Sequence, residues 1–353
     1  MACENSERKD VESLTLAFAA VSAIGIAQAV VMCLHTYENA RFSRSRRSRA
    51  PGSFAPQVEL IIPCKGVEPE LGLLVKMALE QKYPAYGVTF VVESTDDHAW
   101  MFLHRLLTAS VPHKARLIAA GRARRCGQKV HNLLSATAAL DPAVEVIAVL
   151  DSDVRLSADG LRRLVQPLEK TTVGAVTGYR WFVPAPRDWP SIVLAALNAP
   201  VAAILGNHQW NAIWGGSWCM KRSVFELMQI RRAWSGAVTE DYPAWRTVRK
   251  SGLRVAFEPA WLLASPLGCT IATLVEFARR QYVITRIYAP VLWSLALAGE
   301  LLFNLVFWGG LAMEIPNRFF RRQLTWISFV VVLLYFLAGG ARMAPAIGRG
   351  VSF

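Results

Sequence analysis

The sequence predicts an α/β fold on a mostly parallel sheet, with helices at both ends apolar enough for a membrane. Three observations predict it. Short, continuous apolar runs alternate with helical patterns between residues 55 and 286. Acidic pairs, "STDD" and "LDSD", stand directly after two of those runs. Leu14 to Leu34 carries no charged residue over 21 positions.

An uncharged run of that length crosses a hydrocarbon core of about 30 Å. It is long for a signal-peptide core, and arginines follow it rather than a small-residue cleavage site. Arg41, Arg44, Arg46, Arg47 and Arg49 come after the span, against Arg8 and Lys9 before it. The positive-inside bias then puts the body on the cytoplasmic face of an integral membrane protein, in a bacterial inner membrane or an endoplasmic reticulum or Golgi membrane. The expected divisions are a tail (1–13), a transmembrane helix (14–34), a basic linker (35–54), a body (55–286) and a membrane region (287–353). Composition agrees, with 53% hydrophobic residues and a net charge of +13. The positive charge gathers beside membrane segments, which favours the lipid bilayer over nucleic acid. No helix-turn-helix, zinc or aromatic RNA-binding pattern is present. The six cysteines have neither zinc spacing nor a disulfide framework and are expected to be reduced thiols.

Within the body, "VELIIP" (58–63), "GVTFVVE" (87–93), "ARLIAAG" and "VEVIAVL" read as strands. Helical patterns separate them, one through "LGLLVKMALEQ" and one from Ala99 to Ala109. Strands dominated by continuous apolar runs imply a sheet covered on both faces. Ligands of such sheets bind beyond the carboxyl ends of the strands. Lys65, Glu93, Asp96, Asp97, Asp151 and Asp153 fall at those ends. Ser191 to Leu205 is too short to span and is expected as an interfacial helix or a buried segment. Pro290–Met313 and Thr325–Ala341 are candidate spans. Arg318, Arg321 and Arg322 lie between them and oppose the positive-inside rule if both cross, so one reading makes one segment re-entrant.

The chemistry-bearing residues form four groups. Asp151 and Asp153 can hold a hard divalent cation, or simply make a turn. Asp241, beside Glu240, can take a proton from an attacking hydroxyl, or cap a helix. Arg279, Arg280 and Arg286 can clamp a diphosphate or sit as a juxtamembrane belt. Arg122, Arg124, Arg125 and Lys129 can cradle phosphates or form a solvated loop.

Taken in order, these segments resemble the ceramide glucosyltransferases and their bacterial relatives, membrane-bound inverting glycosyltransferases of the GT-A fold. "PCKGVEPEL" is similar to that family's donor loop, "VVESTDDHA" to its first aspartate segment and "GQKVHNL" to its K-x-x-N segment. "VLDSDVRL" and "TEDYPAW" are similar to its second and third aspartate motifs, and "GGSWCMKRSVFE" to its acceptor-side loop. The resemblance implies a UDP-sugar donor, a membrane lipid acceptor such as ceramide and a Mg²⁺ or Mn²⁺ ion. It implies donor contacts from Lys65, Gly66, Glu93, Asp97 or adjacent Asp96, Asp151, Arg280 and Gln281, and metal ligation by Asp151 and Asp153. Asp241 would be the base, and Gly216, Ser217, Glu240 and Arg286 would lie on the acceptor side. One departure stands out: Val283-Ile284 replaces the family's Arg-Trp pair, with Arg286 one turn away. The rival readings are a processive polysaccharide synthase and a catalytically inactive nucleotide-sugar-binding scaffold.

Overall fold

The computed structural model describes residues 2–110, 115–203 and 205–314. They form two compact units. One is Arg41–Leu274, and the other combines the residues up to Ala40 with those from Val275 onward. In chain order the first half comprises α1 (Ala2–Ser48), β1 (Val58–Pro63), α2 (Leu71–Leu79), β2 (Tyr86–Val92), α3 (His98–Ser110), β3 (Ala115–Ala119), α4 (Gln128–Ala138) and β4 (Val146–Leu150). Then come α5 (Gly160–Val165), β5 (Val173–Thr177), β6 (Phe182–Pro184), α6 (Trp189–Ala203), β7 (Ser217–Lys221), α7 (Arg222–Leu227), α8 (Ile230–Trp234), α9 (Asp241–Lys250) and β8 (Arg254–Phe257). The described chain closes with β9 (Ser265–Leu267), α10 (Ile271–Tyr288) and α11 (Pro290–Glu314).

Seven strands make the main sheet in the order β3-β2-β1-β4-β7-β5-β8. All neighbours run parallel except β7, which is antiparallel to both β4 and β5. The apolar runs explain this burial. Leu60 and Ile62 face one core layer with Phe90, Ala148 and Leu150. Ile61 points the other way, into a layer with Val91, Ile147, Val149, Trp218 and Trp234. That is the period-two alternation of a strand covered on both sides. Each fully buried large side chain contributes about 1.5–3 kcal/mol.

The strand order reverses beside β1, between β2 and β4, which is where such sheets open a crevice. Antiparallel β7 adds to it. Leu150, at the end of β4, pairs with Ser217, at the start of β7. The approach to β7 therefore lies at the same sheet edge as the exits of β1, β2 and β4.

Two expectations need correction. The basic stretch within 35–54 is not a linker, because α1 continues through it to Ser48. Arg46 and Arg47 lie in its last turn, where positive charge favours a helix C-terminus. Arg46 also pairs with buried Glu258, and the Phe42 ring lies 6.4 Å from that of Phe257. "GGSWCMKRSVFE" is not a loop either. It supplies β7 and α7, with Trp218, Cys219 and Met220 fully buried. The Ser191–Leu205 stretch forms most of α6, which buries Leu194, Ala195, Ala199 and Ala202 and exposes Trp189, Ile192 and Val193.

Leu16–Ser48, of which the residues up to Ala40 belong to the helical unit, and Pro290–Gly309 are long and apolar enough to cross a bilayer. Small residues let α1 and α11 approach closely. A side chain added at Gly299 would meet Gln28 at 2.9 Å, and one at Gly309 would meet Phe18 at 3.4 Å. Thr325–Ala341 and the arginines before it lie outside the described residues.

Candidate active site

At the exit of β1 the chain turns through Gly66, whose φ of +61° suits a residue without Cβ. Its N–H donates to Asp97 Oδ1 at 2.9 Å. The same oxygen accepts the Ala99 N–H at 2.8 Å, capping the first turn of α3. This distinguishes the two adjacent aspartates: Asp97 is half-buried and tied to the glycine turn, while Asp96 is exposed. Lys65 is exposed beside that turn. Glu93 leaves β2 half-buried, its carbonyl accepting the Gly121 N–H at 2.8 Å. Burial pushes the Cys64 thiol up to about 12, and the charges of Asp97 and Asp151 add to the shift. Both carboxylates thus act on the same buried thiol at the sheet edge.

Lys129 is the centre of the cluster. It stands in the first turn of α4, and its ammonium lies 2.6 Å from Asp151 and 2.5 Å from Glu240. It also donates to the Gly215 carbonyl at 2.9 Å. Burial opposes its charge, but the two carboxylates outweigh that and hold it protonated. The start of α4 is pinned in turn, because the Gly127 N–H donates to Ala237 O at 2.8 Å. A Cβ at Gly127 would come within 2.3 Å of the Val238 carbonyl.

Asp241 opens α9, half-buried. Its Oδ1 accepts the Thr239 hydroxyl at 2.6 Å and the Tyr242 N–H at 2.7 Å. Burial raises its pKa above the ordinary value of 3.8, against those hydrogen bonds and the Lys129 charge. Gly215 fits against this carboxylate: an added Cβ would sit 2.9 Å from both Asp241 Oδ2 and Glu240 Oε1. Neighbouring Gly216 accepts the Asp151 N–H on its carbonyl at 2.9 Å.

Asp153 points elsewhere, to Arg180 at 2.5 Å. Four carboxylates, at 151, 153, 240 and 241, therefore share Lys129 and Arg180. Asp151 is pulled upward by burial first, then by repulsion from Asp153 and Glu240, with Lys129 opposing. Among the described residues no three His, Cys, Asp or Glu side chains converge on one cation position. Two carboxylates nevertheless suit Mg²⁺ or Mn²⁺ when phosphate oxygens and water complete the shell. The repulsion that raises Asp151 is one that such a cation would relieve.

The remaining expected residues are placed as follows. Ser217 is fully buried, and its hydroxyl accepts the Trp261 indole N–H. It packs within the sheet. Gly216 is buried against the Trp214 ring, with no room for a side chain. Glu240 is 2% exposed and turned inward to Lys129. Arg280, Gln281 and Arg286 lie exposed on α10 in the helical unit. There the Arg280 guanidinium is 5.9 Å from the Phe277 ring centre and that of Arg286 is 5.4 Å from Trp293. Sequence reasoning left Lys129 undecided among four basic residues, gave Thr239 no role of its own and missed Gly215 and Arg180. The double glycine "GG" and a threonine two residues before Asp241 were the available signals.

Residues 16–349 match the family model for glycosyl transferase family 21. A ceramide glucosyltransferase from Komagataella phaffii is 28% identical over 139 residues, which is 37% of this chain and 26% of that protein. The match spans only about a quarter of that relative's length. Similar solved structures include the mannosyltransferase PcManGT from Pyrobaculum calidifontis in complex with GDP-Man and Mn²⁺, at 19% identity and a TM-score of 0.46, covering 95% of this chain and 88% of that one. Another is glucosyl-3-phosphoglycerate synthase from Mycobacterium tuberculosis in complex with Mn²⁺, UDP-glucose and phosphoglyceric acid, at 15% identity and a TM-score of 0.45, covering 68% and 86%. The family match takes in every strand, every carboxylate of the cluster and both apolar helices, and on it the chain belongs to glycosyl transferase family 21.

Proposed function

We propose that this glycosyltransferase moves a hexose, glucose by its resemblance, from a UDP-sugar to a lipid hydroxyl such as that of ceramide. One observation carries the reading. A half-buried carboxylate with a raised pKa, Asp241, stands at the carboxyl edge of the sheet beside a lysine-centred acidic cluster. A base that must accept a proton near neutral pH benefits from that upward shift. Thr239 and the Tyr242 N–H hold Oδ1, which leaves Oδ2 as the oxygen for the acceptor hydroxyl. As the hydroxyl attacks the anomeric carbon, Asp241 removes its proton. A single displacement inverts the configuration there.

Lys65, the Gly66 turn, Glu93 and Asp97 take the nucleotide side in this reading. Asp151 and Asp153 would hold Mg²⁺ or Mn²⁺, which when bound neutralises charge on the departing UDP. Lys129 keeps Asp151 and Glu240 in register throughout. The two apolar helices fit a membrane enzyme whose acceptor arrives from the bilayer, with the body on the cytoplasmic face.

The test is transfer from UDP-sugars to ceramide, diacylglycerol and hopanoid acceptors by the full chain in lipid. Asp241→Asn should lower turnover about 10²–10⁴-fold while UDP binding persists. Equal turnover by the variant would end the assignment of Asp241. Val283 and Ile284, in place of Arg-Trp, favour a second reading as a nucleotide-sugar-binding scaffold. That reading wins if the wild type binds UDP but neither transfers nor hydrolyses any donor.

A further inference from the structure

Arg180 is buried, at 6% exposure, in the connection between β5 and β6. Its Nη1 meets Asp153 at 2.5 Å. Its Nε is shut off from solvent with no hydrogen-bond acceptor. A buried donor without a partner is a standing cost that a folded chain normally removes. The neighbouring residues fix this backbone. The Tyr179 hydroxyl donates to the Asn198 carbonyl, and Asn198 Nδ2 donates to the Arg180 carbonyl at 3.4 Å. The guanidinium carbon lies 5.1 Å from the Phe182 ring centre, a flat support on which it can turn. The carboxylate of Glu70 feels the Arg180 charge but accepts its hydrogen bonds from Arg155. Asp153, by contrast, is 46% exposed and open to a cation.

A guanidinium fork with unused donors suits a phosphate better than a single carboxylate oxygen. We propose that Arg180 is a positioning residue that exchanges partners during donor binding. It neutralises Asp153 before the donor arrives, then releases it to a divalent cation and turns its donors onto the diphosphate. This rests on the nucleotide-diphosphate donor reading above. The exchange would couple the two ligands: a cation alone must compete with Arg180, while a cation arriving with the diphosphate gives the guanidinium a new partner.

The experiment measures Mn²⁺ binding by electron paramagnetic resonance and UDP binding by calorimetry, on the full chain in detergent. In Arg180→Gln, Mn²⁺ alone should bind about tenfold tighter, because its competitor is gone. UDP at saturating Mn²⁺ should bind about tenfold weaker, the worth of one charge-assisted contact. Arg180→Lys, which keeps the charge and loses the fork, should fall between. In Asp153→Asn, UDP without metal should bind several-fold tighter than to the wild type, since the guanidinium is released. A static structural salt bridge predicts neither the tighter Mn²⁺ nor the tighter metal-free UDP. If both constants of a folded Arg180→Gln stay within twofold of wild type, the exchange is overturned. Should that variant not fold, Asp153→Asn decides alone: metal-free UDP binding no tighter than wild type overturns it. If the wild type binds neither UDP nor Mn²⁺, the donor reading falls and takes the exchange with it. Wild-type binding of both, with unresponsive variants, removes the exchange only.

Discussion

The two halves of the main sheet solve the same problem by different means. From β1 to β4 every strand is parallel, and its polar cargo is delivered by the chain running off a strand end. From β5 to β8 one strand, β7, runs backwards. Parallel to its neighbours, it would have begun at the opposite edge. Running antiparallel, it starts where β4 ends and brings Gly215 and Gly216 against Asp151 and Asp241. The first half presents side chains on a rigid edge. The second half presents backbone, in contacts so close that only glycine fits.

That contrast can be broken at the joint. Lys129 belongs to the first half and Glu240 to the second, and Lys129→Met leaves a carboxylate of 2% exposure without its cation. Loss of one partner from such a pair costs about 3–5 kcal/mol, and denaturant unfolding should show a destabilisation at the lower end of that range. Gly215→Ala tests the backbone half. Its methyl would press on Asp241 and Glu240, so transfer should fall at least about tenfold and stability by about 1–3 kcal/mol. An unchanged turnover would mean that Asp241 has room to move. Thr239→Val removes one hydrogen bond to Oδ1 and should lower turnover by about three- to tenfold. The smallest effect belongs to the rim of the first half. Arg155→Gln breaks a pair whose side chains are 30% and 37% exposed, and melting should register about 0–1 kcal/mol.

Acidity probes the same contrast. Asp241, Glu240 and Asp151 all have raised pKa values, burial being the largest cause in each. A carboxyl whose folded pKa lies above its unfolded one favours the fold in its protonated form. Its contribution is complete below the unfolded value and is lost as pH rises through the folded one. On the reading proposed above activity runs the other way, because Asp241 as the base must be ionised. Turnover should therefore fall on acidification at a pH above the ordinary carboxylate range, while the cluster gains stability over that same interval. Stability and rate profiles of Asp241→Asn should lack the Asp241 share of that opposition.

How much of this was legible depended on distance along the chain. β1 occupies 58–63 as its apolar run implies, because a strand buried on both faces announces itself locally. β7 gave no such run: "SWCMK" mixes small, polar and aromatic residues, and its burial depends on Trp234 and Trp261 packing from later in the chain. Asp151, Asp153 and Asp241 were visible as motifs. Their counter-ions were not, since Lys129 and Arg180 meet them only once the fold has closed. The Ser217 contact was hidden for the same reason, its hydroxyl meeting a buried indole from far along the chain.

The Arg46–Glu258 pair sets a limit on how the chain can be shortened. Removing the apolar helix to obtain a water-soluble body invites a cut at Ser48, the end of α1. That cut would strip the cation from a buried carboxylate, bare the Phe257 ring and deprive Arg163 of the Arg46 carbonyl. A soluble body should instead begin at or before Arg41, keeping the last turns of the helix as part of the domain they brace.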